Sequence, residues 1–136
     1  MFTALAIGLV AVVCTALIHY VTMTTIVESG SLSRASRLPR FVLMILAISV
    51  THLVEAAVWA LALGLGLRAD LGALQGIENL TASDVLGFSL VNFATLGLGV
   101  LTPTEDLKFV AAMGALNGFL LITCSASFLH RAISDR

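Results

Sequence analysis

From Met1 to Val27 the chain carries no Asp, Glu, Lys or Arg, and Glu28 is its first charge. No water-soluble fold tolerates such a run on its surface. A bilayer core of ~30 Å is crossed by about 20 helical residues, so this stretch is long enough to span with some tilt. A signal peptide is the competing reading, but it would need a basic start and a small-residue cleavage site. The basic start is absent, so a retained helix is expected. Phe41–Leu67 is a second span, interrupted only by His52 and Glu55, and Phe109–Leu129 is a third. Of the 136 residues, 59% are hydrophobic and 11% charged, against ~25% charged in soluble domains. Lipid is therefore the expected solvent and partner. Seven basic residues in all, mostly scattered, make no nucleic-acid patch. Cys14 and Cys124 lie inside apolar runs, where they act as small hydrophobes and no disulfide is expected.

A fourth uncharged segment, Val85–Thr104, decides the topology. Arg34, Arg37 and Arg40 sit in the polar loop after the first span, and Arg131 and Arg136 follow the last. Basic residues beside spans favour the cytoplasm, which places the amino terminus outside and the carboxyl terminus inside and requires an odd number of crossings. Val85–Thr104 should then enter and return on the same side. Its second half carries Gly97, Gly99 and Pro103, which weaken or break a helix. Non-helical backbone at membrane depth is tolerated only when buried in protein or lining a watery cavity, so a re-entrant pore loop is predicted. Thr81-Ala-Ser-Asp84 has capping-box form and opens its short helix, with Ser83 or Asp84 as other possible caps. The carboxyl end of that helix, partially negative, would face the membrane centre and favour a cation.

Thr95-Leu96-Gly97-Leu98-Gly99 follows that helix. Glycines at alternate positions adopt backbone angles closed to other residues, so successive carbonyl oxygens can face one axis and replace an ion's water shell, with the Thr95 hydroxyl adding one more. One loop is a quarter of such a ring, so four copies of the chain would have to meet on an axis.

Three stretches together carry a family resemblance: His52-Leu-Val-Glu55-Ala-Ala-Val-Trp59, Gly87-Phe-Ser through Gly99, and Gly114-Ala-Leu-Asn-Gly118. This pattern resembles small bacterial pore-loop proteins of the two-helix potassium-channel family, with an extra helix placed ahead. The likeness runs from about Phe41 to the end; the first helix resembles nothing comparable. It implies an all-α integral membrane protein with three transmembrane helices and a re-entrant pore helix and filter loop between the second and third, assembled as a homotetramer in the bacterial inner membrane. It also implies no cofactor, with potassium or another monovalent cation as the permeant ion. The division expected is an extra helix over 1–28, a cytoplasmic loop over 29–40 and a pore domain over 41–136. Within the last, the outer helix is expected at 41–67, the pore helix at about 83–94, the filter at 95–99 and the inner helix at about 107–130. Family filters usually read Thr-Thr-Val/Leu-Gly-Tyr-Gly-Asp. Here Ala94 replaces the first Thr, Leu98 the Tyr and Val100 the Asp. Three lost polar anchors predict a looser filter with weaker selectivity or stability.

His52, Glu55 and Trp59 share one helical face, and ionisable groups inside a membrane are functional candidates. They are expected to brace the outer helix against the pore helix at Ser89 or Asn92. The alternatives are a pH-sensitive element or a metal site completed by His19, though ligands spread over two helices form a poor metal pattern. Gly114 and Gly118 are either a gating hinge, as the resemblance implies, or a close-packing face. Asn117 either lines the cavity below the filter or bonds to a neighbouring helix. The arginines of the first loop are candidates for anionic lipid contact, and Glu105 and Asp106 for concentrating cations outside. Three functions follow: a tetrameric cation channel, a non-conducting structural or regulatory subunit with a degenerate filter, and, with least support, an enzyme or transporter built on the His–Glu pair. No enzymatic activity is expected.

Overall fold

A computed structural model describes residues 1–28, 36–97 and 99–134. Arg34, Leu98, Arg136 and most of the expected loop 29–40 lie outside the described residues. The elements are α1 (Phe2–Glu28), α2 (Arg37–Arg68), β1 (Leu74–Gln75), α3 (Ala82–Phe93), β2 (Thr102–Pro103) and α4 (Leu107–Ser134). Three helices are long and apolar enough to cross a membrane, over Phe2–Ile26, Leu38–Arg68 and Leu107–Arg131. At 12 residues, α3 is about 18 Å long and falls short of a crossing.

The helix α2 starts at Arg37, inside the stretch expected as loop. Pro39 occupies its first turn, where the missing N–H has no intrahelical partner to lose. Its far end closes through Leu71 N–H donating to the Gly66 carbonyl at 3.0 Å.

Packing follows the helical period. On α1 the buried residues are Ala4, Gly8, Ala11, Thr15, His19 and Met23. Most are small, and small residues let transmembrane helices approach closely. At Gly8 an added Cβ would lie 2.4 Å from Met113 Sδ of α4. The facing stripe of α4 is Leu107, Val110, Ala111, Gly114, Asn117, Gly118, Leu121 and Ser125, and α2 contributes Glu55, Ala56, Trp59, Ala62 and Leu63. Thus α1 packs on both α2 and α4, while α3 is wedged between α2 and α4.

The connector after α2 is stitched to the chain returning from α3. The strands β1 and β2 pair antiparallel, Leu74 opposite Pro103 and Gln75 opposite Thr102. Thr104 N–H donates to the Ala73 carbonyl at 2.9 Å, Ala73 N–H donates to Thr104 Oγ1 at 2.8 Å, and Leu107 N–H donates to the Leu71 carbonyl at 2.8 Å. Two glycines permit this. Gly72 has φ +135° and Gly76 φ +124°, and a Cβ on them would stand 2.4 Å from Thr104 O and 2.2 Å from Val100 O respectively. Any larger residue there would push the return segment away.

Candidate functional site

The short helix α3 is fixed at both ends and on two sides. At its start Thr81 caps the helix: Asp84 N–H donates to Thr81 Oγ1 at 3.2 Å and Thr81 N–H donates to Asp84 Oδ2 at 2.9 Å, a full capping box. The side-chain and backbone donors of Thr81 hold the exposed Asp84 carboxyl below the usual carboxylate range. On its flanks, Ser89 Oγ donates to the Ala56 carbonyl of α2 at 2.7 Å, and Asn92 Nδ2 donates to the Ala111 carbonyl of α4 at 2.8 Å. Phe93, fully buried, rests its backbone on α4 where a Cβ at Gly118 would come within 2.0 Å of the Phe93 carbonyl oxygen.

The chain leaves α3 through a defined turn. Thr95 N–H donates to the Asn92 carbonyl and Leu96 N–H to the Val91 carbonyl, at 3.0 and 3.1 Å. This is the Schellman pattern, with Thr95 in the left-handed position usually held by glycine. Thr95 has φ +55°, an outlier for a β-branched residue and a store of backbone strain. Gly97 also has positive φ, +64°. Beyond the turn the loop is bare. Leu96 is 61% and Val100 73% exposed in the single chain. Among the described residues, Gly97 and Gly99 make no backbone hydrogen bond, and an added Cβ on Gly97 would meet open space. Leu98 lies outside the described residues.

The other singled-out residues form two buried polar layers across α1, α2 and α4. In one, Thr15 Oγ1 and Trp59 Nε1 both donate to Asn117 Oδ1, at 2.8 and 2.9 Å. Asn117 is 6% exposed, and its Oδ1 accepts from two helices of its own chain. In the other layer Glu55, 0% exposed, holds one histidine on each carboxylate oxygen. His19 Nδ1 lies 2.9 Å from Oε1 and His52 Nδ1 lies 2.7 Å from Oε2. Ser125 Oγ of α4 is 3.1 Å from His52 Nε2. The bracing partners expected for His52 and Glu55, Ser89 and Asn92, instead bond to backbone carbonyls of their neighbours, so this layer ties α2 to α1 and α4 rather than to α3. Its link to α3 is apolar, through the His52 and Phe93 rings at 5.8 Å between centroids. Trp59 belongs to the Asn117 layer, and its ring lies 3.1 Å from where a Cβ on Gly114 would stand. A Cβ is thus excluded at Gly118 by the α3 backbone, while one at Gly114 would press on the Trp59 ring by a few tenths of an ångström.

Thr15, Ser125, Thr104 and the connector glycines Gly72 and Gly76 escape a sequence reading. A serine or threonine in an apolar run bonds its own helix as readily as a neighbour, as Thr22 does to the Ile18 carbonyl. The available clue was on α1, where Ala4, Gly8, Ala11 and Thr15 put small residues on one face.

A protein-family model described as an ion channel matches residues 41–135, which covers α2 from Phe41 on, α3, the loop after it and all of α4, and leaves out α1. Comparisons with curated proteins and with solved structures found no match.

Proposed function

This chain belongs to the ion-channel family matched over residues 41–135, and on that premise we propose that it forms a homotetrameric cation channel. The Thr95, Leu96, Gly97, Leu98 and Gly99 carbonyls would be its filter and α3 its re-entrant pore helix. Its three apolar helices and family fit a multi-pass membrane protein that moves ions rather than an enzyme. One observation carries the finer reading. The loop hung from a tightly held α3 leaves the backbone of Gly97 and Gly99 without hydrogen bonds among the described residues. Unpaired peptide groups facing lipid cost several kcal/mol each, so at membrane depth such a loop must meet other protein or an ion-filled, watery path. Four loops around an axis supply both, and dehydrated monovalent cations such as potassium would take up the carbonyl oxygens.

The orientation we propose has the amino terminus and filter mouth outside and the carboxyl terminus in the cytoplasm of a bacterial cell. Asp106, at the start of α4, meets the Met1 amino group, so the start of α1 and the loop's return end share one side. The arginines at the α2 start and α4 end share the other. The second reading, a non-conducting subunit, draws its support from Ala94, Leu98 and Val100, where family filters carry polar groups.

Reconstitution into liposomes under an outward potassium gradient, with the oligomer weighed by native mass spectrometry, tests both. Tetramers that pass potassium support the channel; tetramers without flux favour the subunit; monomers that transport nothing would end the proposal.

A further inference from the structure

Glu55 is a carboxylate fully buried inside a membrane-spanning helix, and among the described residues no Lys or Arg pairs with it. Its neighbours are two imidazoles, one on α1 and one a turn away on α2. Ionisable groups at membrane depth are costly and are kept where they bind something. Three atoms, one from each of His19, His52 and Glu55, lie within 4.8 Å of one another. His19 Nε2 is buried with no hydrogen-bond partner among the described residues. Buried nitrogens are ordinarily paired with protein or water, so the His19 ring calls for a water on its Nε2 side.

We propose that His19, His52 and Glu55 form a binding site for a divalent transition-metal ion that ties the extra helix α1 to the pore-forming part of the chain. The ligand set is two imidazole nitrogens and a carboxylate oxygen, a combination that holds zinc elsewhere with the fourth position left to water. Imidazole selects zinc, nickel or cobalt over the hard, oxygen-seeking alkali and alkaline-earth cations, so the site is distinct in chemistry from a carbonyl filter. The three groups already face one another. An ion ~2.0–2.1 Å from each ligand in a tetrahedral site sets its ligands about 3.3 Å apart. The present separations are 2.9 Å from His19 Nδ1 to Oε1 and 2.7 Å from His52 Nδ1 to Oε2, and one ligand atom from each residue falls within 4.8 Å of the others, so an ion would have to draw both imidazoles toward one carboxylate oxygen. Each neutral imidazole would bind through Nδ1 and carry its proton on Nε2. For His52 that proton points to Ser125 Oγ, 3.1 Å away, the outer hydrogen bond that metal-bound histidines almost always make. For His19 the Nε2 proton is the one left seeking a water. An ion here would lock α1, α2 and α4 together beside Phe93, whose ring packs on His52.

Binding is read directly, without ion flux, so its outcome is independent of whether the chain conducts. Full-length protein purified in detergent and stripped with a chelator is titrated with Co2+, whose visible absorption reports nitrogen and oxygen ligation, and bound Zn2+ is counted by mass spectrometry. One equivalent per chain is expected, displaced by Zn2+, with affinity at least ~10-fold weaker in Glu55→Gln, His52→Asn and His19→Asn. His130→Asn and Cys14→Ser/Cys124→Ser, which alter the other soft donors, should leave it unchanged. An unaltered chain that takes up no Co2+, or whose spectrum survives Glu55→Gln and disappears with His130→Asn, overturns the site. Because the decisive titration uses the native chain, misfolding of a variant does not shelter the proposal.

Discussion

Asn117 shows how much one side chain holds when water is absent. Its Oδ1 accepts from Thr15 and from Trp59, joining three helices at a single atom. The two donors are not equally exposed to its loss. Thr15 Oγ1 also reaches the Ala11 carbonyl at 2.9 Å, whereas Trp59 Nε1 would be left unpaired among buried apolar neighbours. Asn117→Leu, which keeps the volume, should therefore cost about 1–2 kcal/mol, within the range of polar contacts between membrane helices. Thr15→Val should cost less, below ~1 kcal/mol. Unfolding in detergent by graded dodecyl sulfate measures both, and equal losses would show that the tryptophan has another acceptor. Asp84 offers a pH-dependent counterpart. Its folded carboxyl titrates below the ordinary value because Thr81 donates to the ionised form. Its contribution is thus fully present above the unfolded value near ~3.9 and lost as pH falls through the lowered folded one. Wild-type melting temperature should drop across that acid window more steeply than that of Asp84→Asn, and identical acid limbs would remove the cap from the account.

Among the helices, glycine positions separate packing from mere occurrence. A Cβ at Gly118 would come 2.0 Å from the Phe93 carbonyl oxygen, while Gly64 has nothing within 4 Å. Gly118→Ala must displace α3 from its seat and should cost ~1–3 kcal/mol or more, as overpacked cores do. Gly64→Ala should be neutral or stabilising by up to ~1 kcal/mol, since alanine is the better helix former. Comparing the two in the same unfolding assay checks the argument; a benign Gly118→Ala would instead favour the hinge. The sequence makes the three long helices legible because their signal is local, namely uncharged runs of the right length. It makes the start of α3 legible for the same reason, in Thr81 and Asp84. What it hides is the partner of each face. The pairing of His19 with Glu55 requires knowing that α1 lies against α2 in one register, and no period within α1 specifies that. The connector around Gly72 and Gly76 is hidden too, because its shape is set by a return segment some thirty residues later.

For the proposed tetramer, the loop after α3 carries the consequence. It is held firmly from behind, by Ser89, Asn92 and Phe93 against α2 and α4, and by the connector that pairs with Thr102 and Pro103. Its own rim is apolar: Val100 is 73% exposed in the single chain, where family filters end in an acidic residue. Carbonyl rings discriminate between cations only as far as their spacing and flexibility are controlled. An anchoring hydrogen bond is worth about 1 kcal/mol, a tenfold preference between ions about 1.4 kcal/mol, and a symmetric ring repeats each anchor in every subunit. Restoring the missing groups is therefore more than sufficient to change selectivity, even if only part of each bond distinguishes one ion from another. If the proposed channel holds, in planar bilayers the native chain should pass potassium and sodium with similar ease, and Leu98→Tyr/Val100→Asp should raise the potassium preference by ~10-fold or more with the oligomeric state unchanged. A native channel already strongly selective for potassium would mean that the carbonyls are held by backbone contacts alone, and that the strained turn at Thr95, rather than side-chain hydroxyls behind the loop, sets the ring.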